Sequence, residues 1–318
     1  MKKSSYYIPI LQVIILVLTI SSCEKFTEGV IQEIPFPEHA PELTATLIVN
    51  DLDEKIVAHI SSSASVLDTE GPQPVQGAVV TLRDAAGQTL YALSESDFNN
   101  SIYILDLEST FGTTSGLTTL TVDAPGFDQI TATNTMPSKP IVDLNYEYRG
   151  DSTSSLWEGP SFQDVYTLNF GNNFGVHKNY LIHVDILLKP TVFHSDPYTR
   201  DPLELWQTKN IDLRPDPRIT QYRTTGGILV TDESLASDEY ALSEIKFFTR
   251  SNNRKEAPIS IRVRVESLSP ELASYYLSVE SYLSGGLDFF AEPSLMYSNV
   301  SSGFGCFGLA SEVILVVE

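Results

Sequence analysis

Cys23 is the residue best placed to do chemistry. It closes the stretch Ile20-Ser21-Ser22-Cys23, an aliphatic residue and two small ones ahead of a cysteine. That is the lipobox pattern, in which the thiol takes a diacylglyceryl group before the chain is cut in front of it. Lys2 and Lys3 supply a cationic start, and Tyr6 to Ile20 form an uncharged, largely apolar run. A bilayer-spanning helix needs about 20 apolar residues. This run is shorter and ends in a cleavage-type sequence, as a signal peptide does. The expectation is removal of residues 1–22, acylation of Cys23 and attachment to a membrane through lipid. Several acyl chains on one cysteine hold firmly where a single chain is marginal.

The other reactive side chains form no catalytic set. Cys306 sits in Phe304-Gly305-Cys306-Phe307 and reads as a small buried hydrophobe rather than a reactive thiol. With Cys23 acylated it has no partner, so no disulfide is expected. His39, His59, His177, His183 and His194 are scattered, with no pair at metal-ligand spacing. Asp51 with Asp53, and Asp196 with Asp201, could offer carboxylate oxygens to calcium, yet neither pair lies in an EF-hand loop. No metal and no cofactor are expected. Gly303-Phe304-Gly305-Cys306-Phe307-Gly308 spells G-x-G-x-x-G. A dinucleotide fold needs a strand before that motif, a helix after it and an acidic residue about 20 positions on. Here the chain ends soon after and Val313 to Val317 reads as a strand, so the glycines are expected to form a terminal turn. Neither a nucleophile elbow, a zincin helix nor a phosphate-binding loop occurs, and no enzyme activity is expected.

Charge narrows the partners. Lys and Arg number 20 against 41 Asp and Glu, a formal net charge of −21 that deepens once Lys2 and Lys3 are removed. So acidic a surface repels phosphate backbones, which excludes nucleic acid as a partner.

The elements that must position any site are β-strands. Glu24 to Glu42 holds Pro35, Pro37 and Pro41 and reads as a tether from the lipid. From residue 43 seven short β-type runs follow: 44–49, 55–60, 77–84, 89–93, 101–107, 117–122 and 129–133. They predict an immunoglobulin-like β-sandwich over 43–137. Met136-Pro137-Ser138-Lys139-Pro140 reads as the linker out of it. A second β-rich domain over 141–318 is predicted from runs at 142–148, 165–170, 180–188, 228–231, 245–249, 259–266, 296–300 and 313–317. One helix packs on it at 270–284: Ser269 caps it, Pro270 suits its first position, and Gly285-Gly286 end it. Leu272, Tyr275, Tyr276, Val279, Tyr282 and Leu283 form its apolar stripe. The fold class is therefore all-β with one packed helix. Pro190 to Pro217 resists assignment, holds five prolines, and carries Phe193, Tyr198 and Trp206. Long loops often carry function, and these aromatics are the candidate binding residues.

One further pattern lies in the last quarter. Val265-Glu266-Ser267-Leu268-Ser269-Pro270-Glu271, Tyr275-Tyr276, Phe290-Ala291-Glu292-Pro293 and Tyr297-Ser298-Asn299-Val300-x-x-Gly303-Phe304-Gly305-x-Phe307-Gly308 stand in order. Together with the lipobox, the early strands and the Met136-Pro137 exit, they resemble a domain-of-unknown-function family of Bacteroidetes outer-membrane lipoproteins. The chain departs from the usual pattern at Cys306, where an aliphatic residue is commoner. The resemblance implies an outer-membrane setting beside a TonB-dependent receptor, and it carries no catalytic residues. Three readings stay open. The first is an accessory binding subunit of a TonB-dependent nutrient uptake system, its small-molecule or oligomeric nutrient unidentified. The second is a structural or adhesion lipoprotein of the envelope, and the third a hydrolase built from dispersed carboxylates.

Overall fold

Alternation between buried and open residues shapes the first half of the chain. In β1 (Leu43–Asn50) Leu43, Ala45, Leu47 and Val49 are buried and the residues between them are not. β2 (Lys55–Ser62), β3 (Val79–Arg83), β4 (Thr89–Glu95), β5 (Ile102–Asp106), β6 (Leu117–Asp123) and β7 (Ile130–Thr135) follow. In β6, Thr118, Leu120 and Val122 point inward and Thr119 and Thr121 stay partly open, the period of a half-buried strand. The computed structural model describes residues 40–65, 69, 71–96, 101–112, 116–152, 161–170, 179–188, 206–208, 219–222, 227–230, 244–251, 258–285 and 295–317.

The strands curl around one core to give the immunoglobulin-like sandwich. The ladder runs β1-β2-β5-β4-β3-β6-β7, and β4 changes partner midway. Its first part pairs with β3 (Leu93 opposite Val80), while Ser94 and Glu95 pair with β5. Tyr103 ties the fold across this turn, its buried hydroxyl donating to Val75 O at 2.8 Å and accepting from Ala78 N at 3.0 Å.

The second half adds β8 (Val142–Ser152), β9 (Ser161–Phe170), β10 (Asn179–Leu188), β11 (Trp206–Thr208), β12 (Ile219–Tyr222), β13 (Gly227–Val230), β14 (Glu244–Ser251), β15 (Pro258–Leu268), α1 (Pro270–Gly285) and β16 (Phe304–Val317). β12-β13-β10-β15-β16 form one sheet, and β14-β9-β8 a separate three-stranded one. Tyr166, Leu168 and Phe170 of the small sheet meet Ile182, Val184, Val263 and Val265 of the large one in a second core. Helix α1 covers the large sheet's other face, placing Leu272 and Ala273 against Leu181, Leu268 and Ala310. Tyr282 and Leu283, expected in its apolar stripe, are instead exposed.

β16 differs most from expectation. Its first half pairs in parallel with β1, from Thr44 opposite Phe304 to Asn50 opposite Ala310. Its second half pairs antiparallel with β15. Phe307 and Leu309 thereby enter the first core, so the division expected at 136–140 does not interrupt the sheet. The glycines expected in a terminal turn belong to this strand or its approach. Gly305 has φ 132°, and a Cβ there would collide with the carbonyl oxygen of Ala45; at Gly308 it would lie 2.6 Å from Leu272 Cδ1. Glycine lets β1 and α1 approach this closely. Residues 296–300, expected as a strand, are irregular, because the Asn299 side chain takes the place of a ladder partner. It accepts from Phe307 N and donates to Phe307 O, both at 2.9 Å.

Candidate functional site

Strand pairing brings six ionisable side chains to the helix-side face of the large sheet. Leu181, His183 and Asp185 of β10 lie opposite Glu266, Arg264 and Arg262 of β15. Glu266 in turn lies opposite Glu312 of β16. Every second residue shares a face, so the pattern Arg262-x-Arg264-x-Glu266 delivers three charges to one surface.

Asp185 is 2% exposed and carries the heaviest load. Its Oδ2 accepts from Arg262 Nε at 3.0 Å, Arg262 Nη2 at 2.8 Å and Arg264 Nε at 3.1 Å. A buried carboxylate is tolerable only when paired and hydrogen-bonded, and two guanidinium groups supply that.

His183 stands beside the pair, its Nε2 3.9 Å from Glu266 Oε1. Burial, then the Arg264 charge, lower its pKa to about 4 against the opposing pull of Asp185, so the ring is neutral at pH 7. Gly227 makes room for it: a Cβ at that position would lie 2.7 Å from the imidazole Cε1. Glu266 moves the other way. Burial, then its neighbour Glu312, raise its pKa to about 7, against the pull of Arg264. Burial also raises Glu312, whose Oε1 makes no hydrogen bond and lies 3.9 Å from Arg264 Nη1.

The cluster reaches the first core through Asp51. That buried carboxylate accepts from Glu312 N at 2.8 Å and pairs with Lys139 Nζ at 2.9 Å. Asp53 Oδ2 accepts from Asn50 N at 2.7 Å. Both Asp51 oxygens and Asp53 Oδ2 are thus engaged within the protein. Among the described residues no three His, Cys, Asp or Glu side chains gather as a metal site would require. Asp196 and Asp201 lie outside the described residues.

Chemically the arrangement sets a carboxyl with its pKa raised to about 7, Glu266, beside a second raised one, Glu312, with two arginines close by. Glu266 and Glu312 face each other across adjacent strands, and a hydrolase built from carboxylates needs two acids about 5–10 Å apart in an open cleft. Glu312, however, exposes only 8% of its surface and the Glu266 side chain 14%, too little for a glycosidic bond to reach both. Cys306 is a free, fully buried thiol, and burial, then Glu271, push its pKa up to about 12. It is no nucleophile at neutral pH.

A second polar node underlies the C-terminal signature. Ser269 Oγ caps α1 by accepting from Leu272 N at 3.3 Å, and also accepts from Asn134 Nδ2 at 2.9 Å. Asn134 donates to Phe307 O as well, at 2.9 Å. One buried asparagine of β7 therefore holds the helix start and β16 together.

Of the residues singled out from sequence, Cys23, Phe193 and Tyr198 lie outside the described residues. Trp206 does not lie in an irregular loop: it opens β11, opposite Leu187 of β10. His59 is exposed on β2. The buried cluster itself went unrecognised in the sequence, although alternating charges in the 259–266 run were its visible signal.

No curated protein matches the chain. Among solved structures, a crystal structure of chicken CNTN1 FN1-FN3 domains is 11% identical, with a TM-score of 0.27, covering 87% of this chain and 67% of that one. Trypsin-activated alpha-2-macroglobulin from Escherichia coli is 8% identical with a TM-score of 0.22, and the match covers 75% of this chain but only 15% of that protein. The major pilin SpaD from Corynebacterium diphtheriae is 9% identical at a TM-score of 0.21, over 75% of this chain and 63% of the pilin. A family model described as "Domain of unknown function (DUF4249)" matches residues 33–313, nearly the whole chain, and the protein belongs to that family.

Proposed function

We propose that the protein is an outer-membrane lipoprotein, acylated at Cys23, that serves as a non-catalytic accessory binding subunit of a TonB-dependent nutrient uptake system. One observation supports the binding reading over a catalytic one: among the described residues, the side chains best suited to chemistry are enclosed in the fold. Cys306 is core, His183 is neutral and enclosed, Asp185 is bound to two arginines, and Asp51 bridges β1 to β16 and Lys139. The lipobox supports the anchor, and the residues resembling the lipoprotein family support the transporter partner. Phe193, Tyr198 and Trp206 are the proposed contacts, since tryptophan and tyrosine most often anchor interfaces.

The test is isolation of the native protein from gently solubilised outer membrane, with intact-mass measurement and identification of co-purifying proteins. A mature chain starting at acylated Cys23 and carrying a TonB-dependent receptor is expected. Cys23→Ala should release the protein from the membrane fraction or leave the precursor uncut. Trp206→Ala should weaken the complex by about 2 kcal/mol without unfolding the chain. An unacylated mass ends the anchoring claim, and recovery without any transporter favours the structural role instead.

A further inference from the structure

β16 is paired on both sides along only part of its length. Its register with β1 ends at Asn50 opposite Ala310, while its register with β15 continues to Ile261 opposite Val317. Hydrogen bonds fix which residues face which side. Ala310 O accepts from Asp51 N at 3.0 Å, and Glu312 N donates to Asp51 Oδ1 at 2.8 Å. Leu309 instead meets Ser269, and Val317 O accepts from Ser260 Oγ at 3.0 Å. Backbone groups alternate along a strand, so Ile314 and Val316 continue the row that faces β1, beyond the point where β1 has ended. Among the described residues the chain passes the start of this edge at Pro137, whose O accepts from Ser311 Oγ at 2.7 Å. It then enters β8, which pairs with β9.

Two N–H and two C=O groups therefore stand without a ladder partner among the described residues. Their side chains are open too: Ile314 is 44% and Val316 53% exposed. Proteins ordinarily blunt such an edge with lysine, proline or a bulge. Val313-Ile314-Leu315-Val316-Val317 has none of these, and the Asp51 carboxylate blunts the row only at Glu312.

We propose that residues 313–317 are a strand-addition site, at which an extended segment of a partner protein, apolar at alternate positions and neutral or basic between them, pairs with Ile314 and Val316. The backbone groups would supply affinity and the two apolar side chains register. The net charge of −21 decides against a second copy of this chain and for a neutral or basic strand. The inference goes beyond the accessory role and depends on neither Cys23 nor a transporter.

Residue-resolved amide hydrogen exchange on the full chain tests it, using a nonapeptide that alternates valine with lysine or threonine. In the free chain the Ile314 and Val316 amides should exchange about 100-fold faster than that of Leu315, which faces β15. The peptide should slow both about tenfold or more, and the same peptide methylated on its edge nitrogens should not. Ile314→Pro removes an N–H that no bond among the described residues uses, and Val316→Lys charges the edge; each should abolish the slowing while the melting transition stays. Equal protection of residues 314, 315 and 316 in the free chain would overturn the proposal. So would a peptide without effect, or slowing that survives both substitutions. Protection that rises with protein concentration alone would make a second copy the occupant and overturn it too.

Discussion

Gly305→Ala tests the closest approach in the fold, where β16 enters beside β1. Two costs add there. The backbone has φ 132°, a conformation that L-residues hold only at about 1–3 kcal/mol. The new Cβ also meets the Ala45 carbonyl oxygen, and backbone cannot rotate aside as a side chain can. Forcing an extra carbon into a packed site costs about 1–3 kcal/mol. The expected loss is about 2–6 kcal/mol, against total stabilities of about 5–15 kcal/mol for ordinary proteins. Gly87→Ala is the control. Gly87 has φ 81° and open space around its Cβ position, so only the conformational cost of about 1–2 kcal/mol applies. Urea titration of both variants, read as midpoint and slope, separates the contributions. A lower slope for Gly305→Ala would show that β16 has already parted from β1 in the folded state. If the two variants lose stability equally, the close-approach argument for the C-terminal glycines is wrong.

Three further outcomes are expected. Gly308→Ala should cost less than Gly305→Ala in the same titration, because its Cβ meets the Leu272 side chain rather than backbone and its own φ lies outside the region that favours glycine. Asn134→Ala strips a donor from both Ser269 Oγ and Phe307 O inside the protein and should cost about 2–3 kcal/mol by thermal unfolding; no loss would mean the node is dispensable. Glu266→Gln should change how stability depends on pH. The Glu266 pKa is raised from 4.5 to about 7, so its contribution is fully present below about pH 4.5 and lost as pH rises through 7. His183, lowered to about 4, acts oppositely between pH 4 and 6.5 in both proteins. The variant should therefore gain on wild type between pH 4.5 and 7, and a constant difference would refute the assigned burial.

The strands of the first half were legible because each faces a core on one side only. Period-2 patterns such as that of 117–122 record this directly. The helix was legible from its ends, and Ser269 does cap it. β11 and β12 were not, since three or four residues set among prolines carry no measurable period. Nor was the cluster around Asp185. In the sequence Arg262, Arg264 and Glu266 show only the alternation of one strand, and their partners come from β10 and β16, separate strands in the sequence.

β16 shows why the hardest part to read was also the most distinctive. Glycine is depleted in strands, so three glycines within six residues read locally as a turn. Their cause is not local, because Gly305 faces Ala45 and Gly308 faces Leu272. The same holds for Asn299, which falls in a run expected as a strand and instead offers its side chain as a partner to Phe307. A parallel pairing between residues 44–50 and 304–310 joins segments far apart in sequence, and it leaves no period of its own. What it leaves is a set of local rule-breaking residues, each permitting one backbone to approach another. The residues from Asn299 to Gly308 are thus a record of how β16 is seated between β1, β7 and α1. The glycine-rich motif therefore serves packing rather than nucleotide binding, whereas residues 313–317 of β16 are paired with β15 alone among the described residues.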